Sequence, residues 1–368
     1  MATATHGRCQ WGSSVVQQRN ATAAKRMVTK RGVAVVMVVA ALLVIAATGL
    51  GAAPAALGQT TSPAGAVETS TAPVSPAGAP VIGIAYGPSP EQVLDVHLPA
   101  GRGGPFPVIV YVHSGGWIGG SRTTIPDFIL QQMDRAGIAV VSIDYRLTVQ
   151  GVDGSIANAF PVPDTDVDRA VRYVKANAAT WDLDPTRVVL AGASAGGHLA
   201  ALAAAAPGVF VDPTLPADLA RVSPRVSGVI DVIGISDFST FATAGGMAPG
   251  LMTTFLDCRN SQVDECDRAT VETASVATHL DAGAPPAFFA YGTADGLVVP
   301  ATQGIPLADA WAAARGDATP PTPWTGSVVY DLTAHGHTID DSAVDLVSMD
   351  SWLDAAIAPA GIDSGNGA

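Results

Sequence analysis

Positive charge is scarce in this chain. Of 368 residues, 19 are Lys or Arg against 32 Asp or Glu, a formal net charge of −13. Arg8, Arg19, Lys25, Arg26, Lys30 and Arg31 all lie in residues 1–55, where no acidic residue occurs. The remainder therefore carries 19 − 6 = 13 basic against 32 acidic residues, a formal −19. Such a surface repels phosphate backbones and anionic headgroups, which argues against nucleic acid as a partner. Charge of either sign is sparse, at 14% against 48% hydrophobic residues, so most of the chain reads as globular. Cysteine is limited to Cys9, Cys258 and Cys266. There is no internal repeat and no sign of a domain boundary after residue 80.

What is present begins with a leader. Lys30 and Arg31 precede an uncharged apolar run from Gly32 to Leu50, followed by Gly51-Ala52-Ala53-Pro54-Ala55-Ala56. Basic flank, apolar middle and small-residue exit describe an export signal over residues 1–55, with Ala53-Pro54-Ala55 as the cleavage site. Met27 is a candidate start, because the segment counted from there has the short basic beginning of a signal peptide. The competing reading is a retained anchor helix, since the run matches the roughly 18 to 20 residues of a membrane span. Either way the rest is expected outside the cytoplasm, secreted or at the cell surface, touching a membrane only if the segment is retained. No cysteine stands at the end of the run to accept a lipid. Residues 56–80, rich in Ala, Pro, Thr, Ser and Gly, read as an extended linker, open to O-glycosylation by composition alone.

From residue 81 to 368 the pattern alternates. Strands are expected at Val93–Leu98, Pro107–Val112, Ile138–Ile143, Val188–Ala193, Val226–Ile233, Ala287–Tyr291 and Val328–Leu332. Helices are expected at Thr124–Ala136, Asp164–Ala179, after Ser194 to about Ala206, Pro306–Arg315 and Ser342–Ile357. Short continuous apolar strands separated by helix-sized segments predict an α/β domain, its mostly parallel central sheet covered by helices on both faces.

Val188-Val189-Leu190-Ala191-Gly192-Ala193-Ser194-Ala195-Gly196-Gly197-His198-Leu199-Ala200 reads as strand, sharp turn, helix. Gly192 and Gly196 flank Ser194 at two residues on either side, the spacing of a nucleophile elbow. Ala195 then offers its N–H at a helix N-terminus, where a developing oxyanion is favoured. Val112-His113-Ser114-Gly115-Gly116-Trp117 follows another strand; Gly115 and Gly116 are candidates to complete the oxyanion hole, and Trp117 is a candidate substrate contact. His113 arrives too early in the sheet to be the base and is read as a buttress. Asp295, in the turn after Ala287–Tyr291, is the candidate orienting carboxylate. His335 and His337 compete for the base after Val328–Leu332; His337 is favoured, because Gly336 frees the backbone to turn before it.

The order Ser194, Asp295, His337 with the paired glycines resembles an α/β-hydrolase. More narrowly the chain resembles the esterases related to hormone-sensitive lipase, including bacterial acetyl-, feruloyl- and xylan-esterase-like enzymes. Leu94-Asp95-Val96 with Leu98-Pro99, the His-Ser-Gly-Gly-Trp loop, Asp144-Tyr145-Arg146-Leu147 and Ser194-Ala195-Gly196-Gly197-His198-Leu199-Ala200 carry the resemblance, over roughly residues 81–358. It implies a Ser194–His337–Asp295 triad acting on short-acyl esters, small or linked to polysaccharide, with no cofactor and no metal, the Asp-Tyr-Arg segment being mainly structural. Amide hydrolysis of the arylformamidase or peptidase kind, and a non-catalytic surface-binding role, are the alternatives. Two departures stand out: Ser114 replaces the first glycine of the usual His-Gly-Gly-Gly loop, and Ala193 replaces a common acidic residue.

Between strands, residues 236–285 read as a partial lid. Cys258 and Cys266 within it are expected to close a disulfide in an exported chain. Phe238, Phe241, Met247, Met252 and Phe255 either line an acyl pocket or pack in the core. Asp264, Glu265 and Asp267 lack the glycine turn and closing glutamate of a known calcium loop and read as acidic surface.

Overall fold

The computed structural model describes residues 80–125, 127–242, 248–258, 266–292, 295–316 and 329–332. The expected leader and most of the linker, Met247, Asp264, Glu265, His335, His337 and the expected helix at 342–357 lie outside the described residues.

An eight-stranded sheet forms the frame. Its strands are β1 (Val81–Ala85), β2 (Val93–His97), β3 (Phe106–Val112), β4 (Ala139–Ile143), β7 (Leu183–Ala193), β8 (Gly228–Val232), β9 (Ala287–Gly292) and β10 (Val329–Leu332), in the order β1-β2-β4-β3-β7-β8-β9-β10. Pairing is antiparallel at β1–β2 and β2–β4 and parallel from β4 to β10. Every residue of β3, β4 and β8 is buried; because successive side chains point to opposite faces, both faces of the sheet are covered. A two-stranded hairpin, β5 (Val149–Gln150) and β6 (Ile156–Ala157), stands apart. Among the described residues, no helix is long and apolar enough to cross a membrane.

The covering helices are α1 (Asp127–Ala136), α2 (Val162–Ala176), α3 (Ala195–Ala205), α4 (Ala217–Ala220), α5 (Phe238–Phe241), α6 (Ala248–Phe255), α7 (Arg268–Ala274) and α8 (Gly304–Arg315). α1, α2, α3 and α8 begin and end within three residues of the expected bounds, whereas α4, α5, α6 and α7 form in segments where no helix was expected. β1 went unpredicted because its burial runs in, out, out, in, out, broken by a bulge against β2, so its sequence shows no clean alternation. β7 begins five residues earlier than expected, since Asp184-Pro185-Thr186 is polar yet extended.

Two ion-pair networks tie loops to this frame. Arg122 bridges Asp95 of β2 (Nε to Oδ1, 2.9 Å) and Asp144, just beyond β4. Arg146 grips Asp166 of α2 through Nε (3.1 and 3.0 Å) and Nη2 (2.6 Å), and its Nη2 also reaches Asp212 at 3.1 Å. Gln92 joins both acids, donating to Asp166 at 2.6 Å and to Asp212 at 3.2 Å. Arg122 thus joins two of the segments that carry the family resemblance, through Asp95 and Asp144.

Candidate active site

β3, β7, β8 and β9 run parallel, so their C-terminal ends share one edge of the sheet, where open α/β sheets gather their reactive groups. Ser194 sits there between β7 and α3 with φ 53° and ψ −121°, outside the conformations an L-residue ordinarily adopts. Holding it so costs about 1–3 kcal/mol, supplied by the surrounding packing. Its N–H donates to the Val232 carbonyl at the end of β8 (2.9 Å), and its own carbonyl accepts from the His198 N–H (2.9 Å).

The glycine spacing has a steric cause. A Cβ on Gly192 would strike the Gly196 carbonyl, and a Cβ on Gly196 would strike the Val112 and His113 carbonyls at the end of β3. The strand, the helix and the neighbouring loop therefore approach backbone to backbone. That approach brings the start of α3, with Ala195, against the root of the loop that carries Gly115 and Gly116.

The loop is tightly wound. Gly115 (φ 122°), Gly116 (φ 61°) and Trp117 (φ 63°) all have positive φ, and the Gly115 carbonyl accepts from the N–H groups of Ile118 (3.2 Å) and Gly119 (3.0 Å). His113 braces it from behind: the ring is buried, stacks on Tyr145 at 4.2 Å, and its Nδ1–H donates to the Ser114 carbonyl at 2.8 Å. Burial lowers its pKa, so the ring is neutral and held by packing.

Trp117 requires a correction as a substrate contact. Its positive φ turns the indole inward; it is wholly buried, stacked on Phe255 at 4.4 Å, with Nε1–H donating to His198 Nδ1 at 3.2 Å. His198 in turn donates from Nε2 to the Ala274 carbonyl at the end of α7 (2.9 Å), and burial depresses its pKa to about 4. One aromatic pair thereby joins the glycine loop, the elbow helix and the inserted segment. Phe238, Phe241, Met252 and Phe255 are buried in the same cluster and serve as packing.

Asp295 lies after β9 at the same sheet edge, two strands along from Ser194, and is nearly buried. Its Oδ1 accepts from the N–H groups of Leu297 (2.8 Å) and Val298 (2.9 Å), which fixes the carboxylate in its turn. His337 lies outside the described residues, five positions beyond the end of β10. Cys258 and Cys266 are joined by a disulfide that closes the end of α6 toward α7. Asp267 caps α7, its Oδ2 accepting from the Thr270 N–H at 2.9 Å. Among the described residues, no group of three or more His, Cys, Asp or Glu side chains is placed to hold a metal ion.

A sequence profile of the BD-FAE family matches residues 94–310, more than half of the chain. The chain belongs to the BD-FAE family. The matched span takes in β2 from Leu94 on, the glycine loop, the elbow and Asp295. Relatives of this BD-FAE member include the "Probable carboxylic ester hydrolase LipM" of Mycobacterium tuberculosis, 30% identical over 53% of this chain and 42% of the relative. "Esterase LipC" of the same organism is 32% identical over 44% and 38%, and the "Isoprenylcysteine alpha-carbonyl methylesterase ICME" of Arabidopsis thaliana is 34% identical over 33% and 26%. The matches thus span less than half the length of these relatives. Among solved structures, a truncated carbohydrate esterase from gut microbiota superposes with a TM-score of 0.58 at 20% identity, covering 75% of this chain and 93% of its own. A propionate-bound Thermogutta terrifontis esterase superposes with a TM-score of 0.53 at 23% identity, covering 78% and 97%. These two share the α/β-hydrolase fold with it.

Residues the sequence reading passed over also meet here. Arg122, Gln92, Asp166 and Asp212 form the networks that hold the loops, and Asp231, inside an apolar run, lies beneath the elbow. Asp166 and Asp231 are polar residues embedded in a helical and an apolar stretch, which is the signal that marks them; Gln92, Arg122 and Asp212 stand in connections between strands and α-helices and carry no such signal.

Proposed function

We propose that this protein is an exported serine carboxylesterase that hydrolyses short-acyl esters through an acyl-enzyme. The observation that carries the reading is the strained Ser194 turn, whose helix start packs against Val112 and His113 at the root of the Gly115-Gly116 loop. In this mechanism His337 removes the Ser194 proton, Asp295 orients the imidazole, and Ser194 Oγ attacks the ester carbonyl. The N–H groups of Ala195, Gly115 and Gly116 hold the oxyanion, the alcohol leaves with the proton from His337, and water activated by the same imidazole releases the acid. The family and the names of its relatives support ester hydrolysis.

A short acyl group is supported by Leu251. A Cβ on Gly116 would lie 2.8 Å from Leu251 Cδ2, so α6 closes directly over the glycine loop. Replacing Leu251 with Ala is expected to move the optimum of a p-nitrophenyl ester series from two to four carbons toward six to eight. The same series tests the function: serine-dependent hydrolysis of acetate or butyrate supports it, whereas turnover of formyl-anilide or prolyl-anilide substrates with none of esters overturns it in favour of an amide hydrolase. Export rests on the basic and apolar leader, and cell fractionation tests it; activity confined to the cytoplasm contradicts it.

A further inference from the structure

Asp231 is a buried carboxyl group that the mechanism above leaves unused. It closes the C-terminal part of β8, one residue before the Val232 carbonyl that holds the Ser194 N–H. Its Oδ1 has no hydrogen-bond partner and presses on backbone: a Cβ on Gly197, in the first turn of α3, or on Gly234 would collide with it. Its Oδ2 lies 3.0 Å from Tyr291 Oη, which also lies 2.8 Å from the Gly234 carbonyl. Tyr291 stands on β9, which leads into the turn of Asp295.

We propose that Asp231 is a positioning residue for the nucleophile elbow, its carboxyl group wedged between Gly197 and Gly234 and clamped by Tyr291. The inference rests on Ser194 being the nucleophile.

The hydrogen-bond count sets the working state. Tyr291 has one hydroxyl proton and faces two acceptors. If Asp231 is neutral, its O–H donates to Tyr291 Oη while Tyr291 donates to the Gly234 carbonyl, and both contacts are satisfied. If Asp231 is ionised, one acceptor goes without a proton and a negative charge appears beneath the helix start that faces the oxyanion. Burial favours the neutral form and pushes the Asp231 pKa up to about 7, the Tyr291 hydroxyl and the nearby Gly234 backbone opposing it. Other titratable groups around it are Tyr291 itself, Asp295 beyond Tyr291, and His198 on α3, whose ring is turned to Trp117 and Ala274. Activity should therefore decline as Asp231 ionises.

The linkage sign is the one for a raised carboxyl. The stability it contributes is full below the ordinary pKa of 3.8 and is lost as pH rises through about 7. Asn mimics the neutral acid, with its amide donating to Tyr291 Oη.

The test compares full-length wild type, Asp231→Asn, Asp231→Ala and Ser194→Ala on p-nitrophenyl acetate from pH 5.5 to 9, with thermal unfolding at pH 4 and pH 8. Asp231→Asn is expected to keep kcat within about threefold at pH 6 and to lose the wild-type decline above pH 7. Its Tm relative to wild type should rise between pH 4 and pH 8. Asp231→Ala should lower kcat about 10- to 100-fold with KM within about threefold. Superimposable pH profiles for wild type and Asp231→Asn, with an unchanged Tm difference, would overturn the proposal even if Asp231→Ala fails to fold. Activity surviving in Ser194→Ala would instead overturn the functional reading beneath it.

Discussion

Replacing Ser194 with Ala is expected to reduce kcat on p-nitrophenyl acetate by on the order of 10⁴-fold or more, because the attacking oxygen is gone and only binding and oxyanion donors remain. Stability should barely change. Alanine keeps the Cβ that makes φ 53° and ψ −121° costly, and every backbone bond of the turn persists. Ser194→Gly separates the two effects, since glycine adopts positive φ without that cost. It should be as inactive as Ser194→Ala yet more stable by about 1 kcal/mol, part of the strain relief being offset by the freer unfolded chain. Turnover assays beside thermal unfolding of the three proteins check both halves. Equal stability of Ser194→Ala and Ser194→Gly would show that the turn is not strained.

Replacing Arg146 with Ala is expected to cost about 3–5 kcal/mol of folding stability, the range for breaking a buried ion pair from one side. Asp166 is fully buried, and it would lose three guanidinium contacts while keeping the Arg146 N–H at 2.8 Å and Gln92 at 2.6 Å. Lysine should recover only part of the loss, because a point charge cannot reproduce the fork between Asp166 and Asp212. The effect should also reach the site. The segment after β4 carries Tyr145, stacked on His113, and Thr148, whose N–H donates to the Trp117 carbonyl at 2.9 Å. Urea unfolding measures the stability, and a fall in kcat exceeding the change in KM reports the displaced glycine loop. A loss below 1 kcal/mol would mean that the network is not a structural anchor.

What could be read from sequence was what backbone sterics make local. Gly192-x-Ser194-x-Gly196 is legible because each glycine answers a collision with a specific carbonyl, and the apolar runs of β3, β4 and β8 are legible because both of their faces are buried. Trp117 misled because a tryptophan after two glycines looks exposed; only the positive φ at Trp117 and the distant acceptor His198 reveal that it turns inward. The phenylalanines of the insertion were ambiguous for the same reason, since a pocket wall and a core share one composition. Asp231 was hidden within Val226–Ile233, its partner Tyr291 lying 60 residues away. Pairings of that range depend on strand order, which alternation alone does not specify.

The central claim is that Ser194 is an activated nucleophile, and labelling with a fluorophosphonate followed by tryptic mass spectrometry tests it most directly. The expected result is one phosphonyl adduct per chain on the peptide Val188–Arg221, localised to Ser194 and absent from Ser194→Ala. Folded protein that takes up no label, or that labels equally well after Ser194→Ala, would contradict the assignment.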